Sequence, residues 1–420
     1  MSIAKKSSNK RFSLSASGLL AAAISLPASA SILEEVVVTA QKREQSMQEV
    51  GISVSAFSGD QLKSLGVTNS TEITQQIPGM QLQTFSPAFT IINLRGISQN
   101  NFQDNLEAPV AVYVDGAYVP SMNAINGQLF DVSRVEVLRG PQGTLFGRNT
   151  TGGLVHYLTR GADTDELNGY VEVTVGDFNQ KAVEGAVGGG ISDTVRGRIA
   201  GRWLENDGYV ESQTPGVRDS HGADGYTLRG SLAVDFTDTL TADIRVAVSE
   251  DNDVPSGTYS INFASADPNT GLGVPAPGRL TDELEHASSQ EGYFSRDSTN
   301  VTGTLTWDLS DDMELVSITN YLDMDKEYLE DAGGGLFFFP YTVNTEFDSF
   351  SQELRLSGTA DAMRWQAGAY YLDMTTDNFQ RVAGAAILGA ATDTALQDTV
   401  ASLDSKNWSV FGQVEFDLSD

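Results

Sequence analysis

Beyond residue 160 the chain places apolar and polar residues at alternate positions. Tyr226, Leu228, Leu232, Val234 and Phe236 fall on one face of an extended backbone, with Thr227, Arg229, Ser231 and Asp235 on the other. Leu240, Ala242, Ile244, Val246 and Val248 repeat the pattern against Thr241, Asp243 and Arg245. So do Val301, Leu305, Trp307 and Leu309 against Thr302, Thr304, Thr306 and Asp308. Trp408, Val410, Val414 and Phe416 alternate with Ser409, Gln413, Glu415 and Asp417. A period of two is that of a strand with unlike faces, and long runs of it, apolar outward and polar inward, predict a transmembrane β-barrel. A soluble β-sandwich is the alternative. Tight turns at 191–194, 237–239, 310–312 and 358–361 alternate with long stretches at 205–224, 251–294, 325–345 and 375–401. Outer-membrane barrels place short turns inside and long loops outside, and Phe236, Trp307, Trp365 and Phe416 sit where an inner aromatic girdle belongs. This spacing predicts ten strands.

Residues 46–160 have a different rhythm, that of a small mixed α/β domain. Ile52, Val54 and Ala56 alternate as a strand, Ser58-Gly59-Asp60 opens a short helix, and a second helix over 71–77 stops at Pro78-Gly79. Strands are predicted over 91–94, 110–114 and 135–138, each running into a glycine pair: Arg95-Gly96, Asp115-Gly116 and Arg139-Gly140. The glycine-dense stretch 140–153 fails as a phosphate-binding loop, because three residues separate Gly143 from Gly147 and Arg148 stands where lysine is required. Tight turns and close backbone approach account for its glycines.

The first thirty residues predict a signal peptide. Lys5, Lys6, Lys10 and Arg11 precede a short apolar segment over 14–26, and Ala28-Ser29-Ala30 supplies the cleavage site. Next come Glu35-Val36-Val37-Val38-Thr39-Ala40 and a polar stretch over 41–49. The β-branched run favours extended backbone, either as a strip that pairs with another protein's sheet edge or as the first strand of the following domain.

Composition narrows the choice further. Of 420 residues 40% are hydrophobic and 9% aromatic, too much for a disordered chain. Fifty-six acidic against 26 basic residues, a net charge of −30, argues against nucleic acid as a partner. The absence of cysteine excludes a disulfide framework and a thiolate zinc site. After residue 30 no apolar run is long enough for a membrane helix, which leaves a barrel untouched.

Val135-Glu136-Val137-Leu138-Arg139-Gly140-Pro141, followed by Gly143, Gly147-Arg148-Asn149 and Gly152-Gly153, resembles the end of the plug domain of TonB-dependent outer-membrane receptors. Asn93-Leu94-Arg95-Gly96 and Val112-Tyr113-Val114-Asp115-Gly116 resemble two further plug motifs in the family's order, and residues 35–40 resemble the TonB box. The family usually carries Asn-Ile or a similar pair where His156 and Tyr157 stand. His156 is read as a packing or wall residue in preference to a metal ligand. The resemblance implies a signal peptide over 1–30, TonB box and linker over 31–45, a plug over 46–160, and the first part of an antiparallel transmembrane barrel over 161–420. A plug of 115 residues is about 34 Å across. A ten-stranded barrel leaves only about 10 Å inside. The ten strands are therefore expected as an open, curved sheet in a C-terminally truncated chain.

The resemblance further implies active import of a scarce solute across the outer membrane. A ferric siderophore or other iron complex is favoured; glycan, cobalamin or haem are alternatives. The partners are TonB of the inner-membrane energising complex, outer-membrane lipid and the small-molecule ligand; no cofactor or metal site is expected. An enzyme or a calcium-dependent adhesin is the remaining class. Neither G-x-S-x-G nor H-E-x-x-H occurs, and Tyr328 replaces the glycine a calcium loop over 323–327 would need. Candidate ligand contacts are polar and aromatic residues between the plug strands: Phe85, Phe89, Gln99, Asn101, Phe102, Asn123 and Gln128. Facing them from an external loop are Phe337, Phe338 and Tyr341, whose cluster serves either a ligand or an upper aromatic girdle.

Overall fold

In the computed structural model the strip and its linker contribute β1 (Val37–Val38) and β2 (Gln45–Ser46). The plug contributes β3 (Val54–Ser58), α1 (Gly59–Ser64), α2 (Ser70–Ile73), β4 (Met80–Ser86), β5 (Phe89–Leu94), β6 (Val110–Val114), β7 (Ala117–Val119), β8 (Val132–Arg139), α3 (Gly143–Phe146) and β9 (Gly153–Thr159). Then follow β10 (Asn168–Val175), β11 (Lys181–Ser192), β12 (Val195–Asn206), β13 (Glu211–Ser212), β14 (Ala223–Thr237), β15 (Leu240–Ser256), β16 (Glu285–His286), β17 (Gly292–Ser310), β18 (Met313–Asp331), β19 (Pro340–Ala360), β20 (Met363–Ala383) and β21 (Ala395–Phe416). The structure describes residues 37–417 apart from 87, 100–103, 125–128, 257–284, 287, 289, 332–339 and 385–393.

The first two plug helices start where local chemistry starts them. Ser58 and Asn69 each close a capping box, with Gln61 and Glu72 respectively. The plug sheet has the order β3-β8-β9-β6-β7, with β6 and β9 parallel, and β4-β5 forms a separate hairpin. Arg95-Gly96 and Asp115-Gly116 both have positive φ, as the two-residue turns that reverse the chain there require. Gly153 has φ +132°, and a Cβ on it would lie 2.1 Å from the Leu138 carbonyl oxygen. Only glycine lets β9 start so close to β8.

Ten strands, β10 to β21 without β13 and β16, form one antiparallel sheet in chain order, with β10 and β21 at its edges. All four tight turns fall where the alternation pauses. Tyr226, Leu228, Leu232 and Phe236 face outward, while Thr227, Ser231 and Ala233 are buried facing the plug. The strands run further than expected. The stretches over 325–345 and 375–401, expected as loops, are largely strand: β18 to Asp331, β19 from Pro340, β20 to Ala383 and β21 from Ala395. Strands β18 to β21 have 19 to 22 residues, against about 10 needed to cross a bilayer. In their outer halves the outward face becomes polar and the inward face mixes apolar with polar residues, so the membrane alternation fades while paired neighbours keep the backbone bonded. There Glu250, Asp297, Asp325, Glu346 and Asp377 stand opposite one another across five strands, above the outward aromatics Tyr321, Phe350 and Tyr371.

The sheet's inner face is divided. Leu322, Met324, Phe347, Leu372 and Met374 of β18 to β20 share the plug's hydrophobic core. Facing the plug from β14, β15 and β17 are Thr227, Arg229, Arg245, Ser249, Ser298 and Thr302. Burial of apolar area binds the plug most extensively to β18–β20, with smaller clusters around Phe130 against β11 and β12 and around Phe89 against the outer ends of β15 and β17.

Candidate functional site: the seat of the N-terminal strip and the outer plug tips

The strip does not stand alone. The chain reverses after Thr39, whose carbonyl accepts from Lys42 N at 2.9 Å, and the polar Gln45-Ser46 pairs with Val37-Val38. Val38 and Ala40 are buried in or against the plug core, whereas Val37 is 41% exposed. Glu136 of β8, itself fully buried, accepts from Thr39 N at 2.8 Å, from Thr39 Oγ1 at 3.2 Å and from Arg134 Nε at 2.7 Å. His156, paired in register with Glu136, completes the seat. Gly116 N donates to His156 Nε2 at 3.0 Å, so the neutral ring carries its proton on Nδ1, 3.5 Å from Thr39 Oγ1. Burial lowers the His156 pKa, which keeps it in that neutral form. His156 is thus a packing residue with two polar contacts.

The linker behind the strip is tied to the wall. Lys42 pairs with Glu353 of β19, its amine 4.9 Å from the centre of the Phe411 ring. Arg43 pairs with Glu415 of β21, and Gln366 of β20 donates to the Gln41 carbonyl at 3.1 Å.

Glu136→Leu removes the acceptor of the strip's only carboxylate contact among the described residues. The expected loss is about 1–3 kcal/mol, the cost of leaving a buried donor unpaired. Trypsin should then cut the folded protein after Arg43 about ten times faster. An unchanged rate with an unchanged melting midpoint would mean that Glu136 does not hold the strip.

At the other end of the plug, Asp104 accepts from Asn123 Nδ2 at 2.6 Å and from Thr345 Oγ1 at 2.5 Å, and pairs with Lys326 of β18. The Asp104 and Lys326 side chains are 2% and 0% exposed. The Lys326 amine lies 5.1 Å from the Phe89 ring centre, and Phe89 packs edge-on against Tyr328 at 5.5 Å. Tyr341 lies tilted at 6.3 Å from Phe89. Of the sequence-predicted ligand contacts, Phe89, Asn123 and Tyr341 are brought together here, in a contact between plug and wall. Gln99 is partly exposed, and Phe85 stands in β4. Asn101, Phe102, Gln128, Phe337 and Phe338, and Glu35 and Val36 of the strip, lie outside the described residues.

The plug motifs serve mainly the plug's own structure, while Asp115 also pairs with Arg245 of the wall. Glu107 gathers Arg148, the Asn149 amide and the Tyr118 hydroxyl, and Gly140 N donates to Gly152 O at 2.9 Å across the glycine-dense loop that carries Pro141, Gly143 and Gly147. Arg95 donates to Ser53 Oγ at 3.0 Å, and Arg139 N to the Ser53 carbonyl at 2.9 Å.

Residues 46–154 match the family described as the TonB-dependent Receptor Plug Domain. The pesticin receptor of Yersinia pestis is 37% identical over 139 residues, 33% of this chain and 20% of that protein. The vitamin B12 transporter BtuB of Vibrio vulnificus is 27% identical over 212 residues, 49% of this chain and 33% of that protein. The crystal structure of the ferric yersiniabactin uptake receptor FyuA from Yersinia pestis superposes with a TM-score of 0.70 at 19% identity, covering 88% of this chain and 62% of that one.

Residues 46–154 are a TonB-dependent receptor plug domain, and the chain as a whole has the fold of such a receptor's plug and wall. It spans a fifth to a third of these two curated relatives' length. The family is one of transport receptors, not of enzymes. Within this plug and its wall, Glu136, Glu107, Asp104 and Lys326 hold positions that sequence reading missed. Their signal was faint: a lone charge inside an apolar strand, as at Glu136, needs a buried partner.

Proposed function

We propose that this receptor imports a scarce solute across the bacterial outer membrane, driven by TonB of the inner-membrane energising complex through residues 35–40. The observation that carries this reading is the seat of the strip. Val38 and Thr39 are coupled to β8, in the middle of the plug, so tension on the chain before Val37 acts directly on the plug core. An N-terminal signal peptide over 1–30, removed after Ala30, would deliver the protein to the outer membrane.

A ferric siderophore or other iron complex is the favoured solute. Relatives with names such as rhizobactin receptor and ferrioxamine B receptor support it. Cobalamin is the second choice, supported by the likeness to BtuB, with haem or a glycan behind it. Growth of a knockout on iron complexes, cobalamin and glycans, with the full-length gene restored, tests the reading; restored growth on none of them would reject it.

The solute is proposed to meet the outer plug tips, with Phe85, Gln99, Asn101, Phe102 and Gln128 on the plug and Phe337 and Phe338 opposite. Phe89, Asn123 and Tyr341 form the floor beneath. Replacing Gln99, Asn101 and Phe102 together with alanine is expected to weaken surface binding at least about tenfold, as loss of one aromatic anchor and two polar contacts would. Unchanged affinity would move the site onto the loops alone.

A further inference from the structure

The polar side of the plug–wall contact holds an unusual cation. Arginines facing inward from β12, β15 and β17 are each paired with a carboxylate: Arg196 with Asp235 at 2.8 Å, Arg198 with Asp131 at 2.5 Å, Arg245 with Asp115 at 2.7 Å, and Arg296 with Asp251. Arg229 of β14 is not. Its Nη1 reaches only two backbone carbonyls, of Phe130 at 3.5 Å and Asp131 at 3.4 Å, and its guanidinium lies 4.8 Å from the centre of the Phe130 ring. Among the described residues no carboxylate forms an ion pair with it.

Arg229 lines a cavity between the plug sheet and β14, β15 and β17, with roughly 780 Å³ of empty space, part of it open to solvent. Two guanidiniums face it: Arg245, which is held between Asp115 and Asp243 at 2.7 Å each, and Arg229, which engages neither. The rest of the wall there offers Thr227, Ser249, Ser298, Asn300 and Thr302. Ser249 and Ser298 bond each other at 2.7 Å, and the Asn300 amide oxygen accepts from Asn320 at 2.6 Å, which leaves its amide nitrogen as a donor. The lining thus holds one guanidinium that engages no carboxylate, beside hydroxyl and amide donors. A planar guanidinium fork without a carboxylate is shaped to take two oxygens of one anion.

We propose that this cavity is a binding site for a small oxyanion, a carboxylate or a phosphate, anchored by Arg229. The proposal is independent of the import reading, since it concerns the resting plug–wall contact. The full-length protein, purified in detergent, is titrated calorimetrically with inorganic phosphate and separately with acetate, at constant ionic strength. Saturable binding of at least one anion is expected, weakened about tenfold or more in Arg229→Gln, with a matching loss of the anion's upward shift in melting midpoint. Arg229→Lys keeps the charge without the fork and should bind severalfold more weakly than wild type, which preserves the test if the glutamine variant folds poorly. The anion that binds more tightly tells whether the site holds a phosphate or a carboxylate. No binding of either anion to wild type, or binding that both variants leave unchanged, overturns the proposal.

Discussion

Val37→Pro is expected to lower uptake about five- to a hundredfold while leaving surface binding of the solute within about twofold. Val37 is the exposed member of β1, so the substitution leaves Val38, Thr39 and Ala40 in their seat. Its effect falls on pairing with an incoming strand, where proline lacks the backbone donor and leaves its partner carbonyl unpaired, at about 1–3 kcal/mol, equivalent to about five- to a hundredfold in affinity. Radiolabelled solute, counted on the cell surface at low temperature and inside energised cells, separates the two quantities. Equal loss of binding and uptake would make Val37 a structural residue of the plug. Full uptake would remove the strip from the coupling step altogether.

Asp104→Ala is expected to loosen the outer plug tips by about 3–5 kcal/mol, the cost of stranding one partner of a buried ion pair. Lys326 would keep only the Ala88 carbonyl at 3.5 Å and the face of Phe89. Asn123 and Thr345 would lose their acceptor in the same step. Hydrogen exchange over residues 88–124 should rise, with little change in the β8-β9 core. Removing both charges, in Asp104→Leu with Lys326→Met, should recover most of the loss, since an apolar pair of similar volume replaces a buried ion pair at little cost. A single variant as protected as wild type would show that this contact does not hold the tips.

Much of this architecture is legible without coordinates because one physical contrast runs through it. Where hydrocarbon lies on one side of a strand and the plug on the other, Leu240 to Val248 and Val301 to Leu309 must alternate, and their hairpins end at Asp238 and Asp311. The capped start of α1 was equally visible, in Ser58. What could not be read depends on partners distant in the chain. Gln45-Ser46 has no apolar signal, so its pairing with Val37-Val38 was invisible, and the strip looked solitary. The outer half of β18 was read as loop because Asp323, Asp325 and Glu327 face out while Met324 and Lys326 face in, a mixture that suggests no membrane. Phe89 and Asn123 carried the right chemistry for a ligand, but their partners Tyr328 and Asp104 lie 239 and 19 residues away.

The row from Glu250 to Asp377 gives the sheet a waterline. Below it, past Asp323 and Asp348, the outward face carries Tyr321, Phe350 and Tyr371, and below those leucine, valine and alanine. Sinking the sheet by one pleat, about 7 Å along a strand, would push Asp323 and Asp348 towards the hydrocarbon, each at a cost of up to several kcal/mol. Raising it would lift Trp307 and Phe416 out of the inner interface that suits their amphipathic or aromatic rings. Opposed in this way, the two borders leave the wall one depth at which to float. A force drawing the plug from below would then meet a wall that its own side chains keep from following.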